Sequence, residues 1–219
     1  MAENKRAFPD WETLYKSQKV ESMPWYNEDL DADLEDELER RKISHGKFLD
    51  LGTGPGTQAV KLRERGLSVT ATDLSETAIK KAQSMYQNIN NSNNNNKNKV
   101  DFRVDNILDS SLDENEFDYI FDRGCFHVIS TDYRKRYITQ VNRILKDNGI
   151  LFLKCFSDKE QGEEGPHRFS RDQLRETFES ENLKMEKMKE TVYQGTLSPL
   201  PKALFAVMTK QNQTVAQKQ

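Results

Sequence analysis

The segment Asp50-Leu51-Gly52-Thr53-Gly54-Pro55-Gly56 sets a carboxylate beside three alternating glycines. Glycine accepts positive φ and lets a ligand approach the backbone closely, so this stretch reads as a binding loop. Asp73 lies 17 residues after Gly56. An acid at that place, closing a second strand, accepts hydrogen bonds from both hydroxyls of a ribose. Further along, Asp122, Cys125, His127, Cys155 and His167 are the groups able to move a proton or carry a thiol. His127 is the first candidate base, because an imidazole of ordinary pKa ~6.5 suits that work. His167 is the second. The cysteines and His45 have no metal-ligand spacing, so no metal is expected.

The loop distinguishes between ligands. A dinucleotide asks for GxGxxG, which brings pyrophosphate to a helix N-terminus. Here the spacing is GxGxG, and Asp50 two residues before the first glycine would repel a pyrophosphate. A carboxylate suits a ligand that bears an ammonium and a sulfonium. The pattern points to S-adenosylmethionine and away from a nicotinamide cofactor.

These residues need elements to hold them. Apolar runs at Phe48–Leu51, Leu67–Thr72, Val100–Val104, Phe117–Phe121 and Ile150–Phe156 predict five strands. Helical patterns at Ala59–Arg65, Ser75–Tyr86 and Thr131–Leu145 stand between them, and 106–116 is too short for a regular helix. Ser75 and Ser170 are placed to cap the second of these helices and one over Phe169–Phe178. Leu183–Tyr193 and Ala203–Thr209 predict a closing antiparallel pair. Alternation of this kind predicts an α/β fold, a doubly wound Rossmann-like sheet of seven strands. Leu30, Leu34 and Leu38 form one stripe of an acidic helix near the N-terminus. The expected division is a helical cap over 1–44, the main domain over 45–210 and a flexible tail over 211–219. Eight of residues 88–98 are Asn, which predicts an exposed loop.

Composition narrows the class. The 219 residues carry 33 basic and 36 acidic side chains, a net charge of −3, which argues against nucleic-acid phosphates as partner. Two cysteines cannot build a disulfide framework. No apolar run approaches the ~18 residues of a membrane span, and the first residues have no apolar signal core. A cytoplasmic protein with no membrane partner is expected; the oligomeric state is not readable from the sequence, a monomer being slightly favoured.

From Phe48 to Phe156 the chain resembles the class I S-adenosylmethionine-dependent methyltransferases. FLDLGTGPGTQA is similar to their first motif and ATDLS to their second. The resemblance implies a cofactor site of Asp50, Gly52, Gly54 and Gly56, with Asp73 on the ribose and Leu74 beside the adenine. VDFRVDNI resembles the strand-three motif, which implies that Asp105 accepts from the adenine amino group while Asn106 and Ile107 flank the ring. FDYIFDRGCFHVI resembles the strand-four motif, which places Asp122, Arg123 and Gly124 toward the methionine part. Trp11 and Met23-Pro24-Trp25-Tyr26 look like the cap of the small-molecule branch, which methylates thiopurines, thiols, halides and tellurite. That resemblance implies that Trp11 and Trp25 cover the cofactor. It also implies methyl transfer to a small acceptor, a thiol, halide, chalcogen or amine, and the position of His127 and Asp122 above the strand ends makes them the candidate catalytic residues. A protein-lysine methyltransferase and a non-catalytic cofactor-binding module are the alternatives. The segment 157–166 is expected to act as a mobile loop over the acceptor.

Overall fold

The computed structural model describes residues 9–92, 99–162 and 164–212, with backbone alone for 87–92. Most of the Asn-rich run, the first residues of the expected cap and most of the tail therefore lie outside the described residues. In chain order the elements are α1 (Trp11–Ser17), α2 (Ala32–Arg41), β1 (Lys47–Leu51), α3 (Thr57–Glu64) and β2 (Ser68–Asp73). Then come α4 (Glu76–Ser92), β3 (Asp101–Val104), β4 (Phe117–Arg123), α5 (Arg134–Ile144) and β5 (Leu145–Ser157). The last are β6 (Arg168–Phe169), α6 (Arg171–Glu179), β7 (Leu183–Val192) and β8 (Lys202–Lys210).

The strands form one mixed sheet in the order β3-β2-β1-β4-β5-β8-β7. The first five pair in parallel, while β8 runs antiparallel to both β5 and β7. Strand order reverses between β1 and β4, so a crevice opens above their carboxyl ends. Two expectations need correction. The sheet has eight strands, because the two-residue β6 pairs with the end of β5 through Phe156–Arg168 and Ser157–Phe169. Two residues leave no periodicity to read, and Phe169 belongs to this strand, the helix starting after Ser170. Strand β5 also starts five residues early. It runs through Asn148-Gly149 by a left-handed Asn148 (φ 61°) and a register shift opposite β4. A left-handed Asn is a local solution that lets a bulged ladder continue.

Both sheet faces are covered, and the strands split their side chains with period two. On one face Phe48, Phe121, Phe152, Phe205 and Val207 pack against Leu62 of α3 and the Leu30–Leu34–Leu38 stripe. On the other, Leu49, Leu151, Leu153, Leu204 and Met208 pack against Tyr137, Val141, Leu174 and Phe178 of α5 and α6. Ser170 caps α6 in a reciprocal box with Gln173. The 106–116 crossover holds a single short 3-10 turn, Ile107–Asp109. A third, smaller cluster of Tyr15, Val20, Met23 and Ala78 seats α1 on α4.

Candidate functional site

The β1–α3 loop turns on three left-handed glycines, Gly52 (φ 69°), Gly54 (φ 52°) and Gly56 (φ 79°). Its floor is Asp50, whose carboxylate accepts the Thr53 hydroxyl at 2.5 Å. Burial pushes Asp50 up to about 6. Asp50 lies beneath the loop, where its bond to Thr53 braces the turn. Asp73, at the end of β2, accepts the Gly54 N–H at 2.9 Å and the Ser75 N–H at 2.8 Å, one on each oxygen. The Leu74 N–H also faces the carboxylate, which still has lone-pair room for a further donor. Burial pushes its pKa to about 6.

A cavity of about 750 Å³ lies above these strand ends. At one end its walls include Gly52, Thr72, Asp73, Leu74, Asp105 and Ile107. Two buried polar atoms here have no hydrogen-bond partner, Thr72 Oγ1 and Asp105 Oδ2. The other oxygen of Asp105 accepts the N–H and hydroxyl of Ser111, which fixes the carboxylate and leaves Oδ2 as a waiting acceptor. Unpaired polar atoms are costly when buried, so their presence marks a place for a polar ligand. The site fits a purine nucleoside: an acceptor for an exocyclic amine, a bidentate acceptor for two hydroxyls, and the side chains of Leu74 and Ile107. Asn106 instead caps the 3-10 turn, its side-chain oxygen accepting the Leu108 N–H at 3.0 Å.

The N-terminal segment roofs this end. Trp11 and Trp25 line the cavity and meet edge to face at 5.7 Å. Tyr15, which sequence reasoning missed, is buried among them, and its hydroxyl stands 2.5 Å from where a Cβ on Gly54 would lie. Any side chain at Gly54 would therefore displace the roof. The carboxylate of Glu12 pins α1 to the start of α4 by accepting both hydroxyls of Ser75 and Thr77 and the Thr77 N–H. Those bonds hold its pKa down at about 2.

The other end is aromatic, and its most buried charged groups are already engaged. It is lined by Cys125, His127, Val128, Phe156, His167, Tyr193 and Leu197 among others. Asp122 lies outside the lining with all four lone-pair sites filled. Its Oδ1 accepts from Gly124 and Cys125 N–H, and its Oδ2 from Phe126 N–H and the Tyr137 hydroxyl. It shapes the turn after β4 and has no lone pair for a substrate, contrary to the catalytic placement. Arg123 lines the cavity, yet its N–H groups go to Asp31 at 3.0 Å, to the Trp25 carbonyl at 3.0 Å and to the Gln194 carbonyl. It is a tie between sheet and roof.

His127 differs from its expected role as well. Its Nδ1 accepts the Phe156 N–H at 3.1 Å, so the neutral ring carries its proton on Nε2. Burial, with His167 and Arg123 nearby, pushes its pKa down to about 3. A ring in that state donates a hydrogen bond and takes up no proton. Both thiols are pushed up by burial, and no group of residues among those described could hold a metal. The segment after β5 is tied to one guanidinium: Arg168 donates to the carbonyls of Glu160, Gln161, Glu164 and Pro166. These bonds hold the described residues of the segment against the acceptor end of the cavity.

Beneath the roof lies a charge cluster. Lys154, fully buried in β5, donates to both oxygens of Asp31 at 2.9 and 2.7 Å and to the Gln194 side chain at 2.5 Å. It also pairs with Asp33 at 2.7 Å. Asp31 caps α2, so the cluster binds the N-terminal segment to the sheet.

The sequence matches a family described as a methyltransferase domain over residues 48–149. An uncharacterized methyltransferase of Schizosaccharomyces pombe is 31% identical over 118 residues, 52% of this chain and 74% of that protein. EEF1A lysine methyltransferase 2 of Danio rerio is 28% identical over 133 residues, 57% of this chain but only 54% of that protein. The 2-heptyl-1-hydroxyquinolin-4(1H)-one methyltransferase of Mycobacteroides abscessus is 27% identical over 173 residues, 76% of this chain and 73% of that protein. A solved structure titled for the conversion of a disulfide bond into a thioacetal group during echinomycin biosynthesis shares the fold, with TM-score 0.76, 23% identity and 93% of each chain covered. No helix among the described residues is long and apolar enough to cross a membrane.

Proposed function

The chain belongs to the class I S-adenosylmethionine-dependent methyltransferases, and from that premise we propose that its acceptor is a small molecule that arrives already nucleophilic. The observation that carries this reading is the state of the acceptor end. Among the described residues there, the buried acids have their lone pairs filled, the imidazole carries its proton on the cavity side, and the thiols are held protonated. None of these buried groups abstracts a proton, and the groups left on that wall, His167, Glu160 and Glu164, stand at its exposed or half-exposed rim, so the acceptor brings its own lone pair.

When bound, S-adenosylmethionine supplies an electrophilic methyl on a sulfonium. The rest of the work belongs to the chain. Asp73 would hold the ribose hydroxyls, Asp105 the adenine amine, and Leu74 and Ile107 the ring faces. Trp11, Tyr15 and Trp25 would close over the glycine loop and keep water out. Alignment of two bound reactants supplies ~7–11 kcal/mol of a barrier. Small size is supported by the roofed cavity, whose volume of about 750 Å³ must hold cofactor and acceptor together. The quinolone methyltransferase of Mycobacteroides abscessus, similar over most of both chains, supports the same reading.

A second reading, methylation of a protein lysine, is favoured by the Danio rerio relative. The test is transfer of labelled methyl from the cofactor into thiols, halides, hydroxylated heteroaromatics and amines, with a cell lysate in parallel. Label in small-molecule products supports the proposal. Label confined to protein overturns it in favour of the second reading. Titration with S-adenosylhomocysteine, with NADH as control, reads the cofactor site independently.

A further inference from the structure

We propose that the Nε2–H of His127 is the donor that holds the acceptor's nucleophilic atom as an anion, so that thiolates, ionised hydroxyls and halides are accepted in preference to amines. This rests on the small-acceptor reading above.

His127 is 4% exposed and lines the cavity. Three contacts fix its ring. The Phe156 N–H occupies Nδ1, the Tyr193 ring stacks on it at 5.7 Å, and Phe156 meets it edge-on at 5.0 Å. Its own carbonyl accepts the His167 N–H, which anchors the backbone. With Nδ1 occupied, the proton sits on Nε2, and no acceptor among the described residues takes it. Nε2 stands 2.9 Å from the place of a Cβ on Gly124, so the glycine keeps this edge uncovered. The donor is open to the cavity, in a largely apolar wall, so a ligand atom that accepts from it gains a hydrogen bond shielded from bulk water.

A neutral donor stabilises an anion without giving up its proton. It raises the ionised fraction of a thiol tenfold for each pKa unit, while nucleophilicity falls with a Brønsted slope of only ~0.4–0.5. The net effect is acceleration wherever the free acceptor ionises above ambient pH. The acceptor's proton leaves to water on binding. Its lone pair then forms the new bond to the methyl carbon as the carbon–sulfonium bond breaks, that pair returning to the cofactor's sulfur. Charge and atoms balance, with a thioether, ether or methyl halide and S-adenosylhomocysteine as products.

The probe is 4-nitrothiophenol, whose thiolate absorbs in the visible, titrated against pH in the full-length protein saturated with S-adenosylhomocysteine. That ligand has no sulfonium charge, so any shift belongs to the protein. The bound thiol is expected to ionise with a constant about tenfold or more above its free value. His127→Phe is expected to return the constant to the free value, and His127→Gln, which keeps an amide N–H of similar reach, to retain part of it. Should His127→Phe fail to bind S-adenosylhomocysteine, His127→Asn gives the same reading, since it can accept from Phe156 but has no donor at Nε2. Equal ionisation in wild type and in the variant without the donor overturns the inference, as does failure of the probe to bind the wild-type complex. Neither result touches the acceptor reading, which stands or falls on where labelled methyl appears.

Discussion

The two ends of the cavity use polar groups in opposite ways. At the nucleoside end, Asp73 keeps spare lone pairs and Asp105 Oδ2 and Thr72 Oγ1 have none of their bonds made. At the acceptor end, Asp122 is saturated by four donors and Arg123 commits three of its five N–H groups to Asp31 and two carbonyls. One end waits for hydrogen bonds and the other has turned its own into scaffolding. A site built this way recognises its cofactor by chemistry and its acceptor largely by shape, with a donor from His127. Mutations should separate along the same line, into those that move cofactor affinity and those that move stability or acceptor use.

The largest effect is expected where scaffolding carries charge. Lys154→Met removes the cation between Asp31 and Asp33 and leaves buried carboxylates short of compensation. Breaking a buried pair costs ~3–5 kcal/mol. In a chain of this size each kcal/mol shifts the melting temperature by roughly 2–4 °C. Thermal unfolding should therefore show a fall of roughly 6–20 °C. A change under roughly 2 °C would remove the cluster as the tie between roof and sheet.

That cluster also shows where sequence reading ends. The nucleoside end was legible because its parts are local: a strand, a glycine turn and an acid closing the next strand lie between residues 47 and 73. The strands other than β6 and most helices were legible through their periods. The Asp31–Lys154 bond joins residues 123 apart, which no local pattern encodes. One signal was present, since a lysine inside the apolar run of Ile150–Phe156 demands a buried partner. The bonds that engage Asp122 and His127 escaped the sequence for a related reason. Residue type gives the ordinary chemistry of a carboxylate or imidazole, but the bonds that consume it come from the Tyr137 and Phe156 positions elsewhere in the chain. Tyr15 left no signal beyond an aromatic in a short helix.

At the nucleoside end the expected effects are on affinity. Asp73→Ala should weaken S-adenosylhomocysteine binding by ~1–3 kcal/mol in calorimetric titration. The pH dependence sharpens the point. Burial holds this carboxyl at about 6, above the ~3.9 of an unfolded chain. Its protonated form is therefore favoured on folding: the contribution to stability is present below about pH 4 and lost as pH rises through about 6. Ligand binding runs the other way, because the ribose hydroxyls need the ionised acceptor. Affinity should fall as pH drops below about 6, by at most tenfold per unit, and Asp73→Asn should flatten the profile. A wild-type profile that is flat from pH 5 to 7.5 would take Asp73 out of the ribose contact.

Gly54→Ala probes where the two ends meet the roof. A left-handed alanine costs ~1–2 kcal/mol, and here the new Cβ also meets the Tyr15 hydroxyl. Affinity for S-adenosylhomocysteine should drop about tenfold, a drop of that size being ~1.4 kcal/mol. Tyr15→Phe in the same background removes the colliding oxygen and should recover part of the loss. Strictly additive losses would mean that the two positions do not touch in solution.

The smallest effect on folding is expected from Arg168, and it tests whether the acceptor wall is built by design of hydrogen bonds or by packing. Its guanidinium serves four carbonyls of the 160–166 stretch, with one of the donors exposed at Gln161 and Glu164. Water can replace it there, so Arg168→Ala should cost under about 1 kcal/mol of stability. Affinity for S-adenosylhomocysteine should stay within about twofold, because none of those carbonyls belongs to the nucleoside end. Acceptor KM should nonetheless rise several-fold while kcat changes less, since the wall would sample open positions at the cost of acceptor binding alone. Arg168→Lys, a cation without the planar fork, should recover little of that loss. A variant that weakens both ligands equally would show that the two ends share one framework after all, and that saturation at the acceptor end serves the fold more than the acceptor.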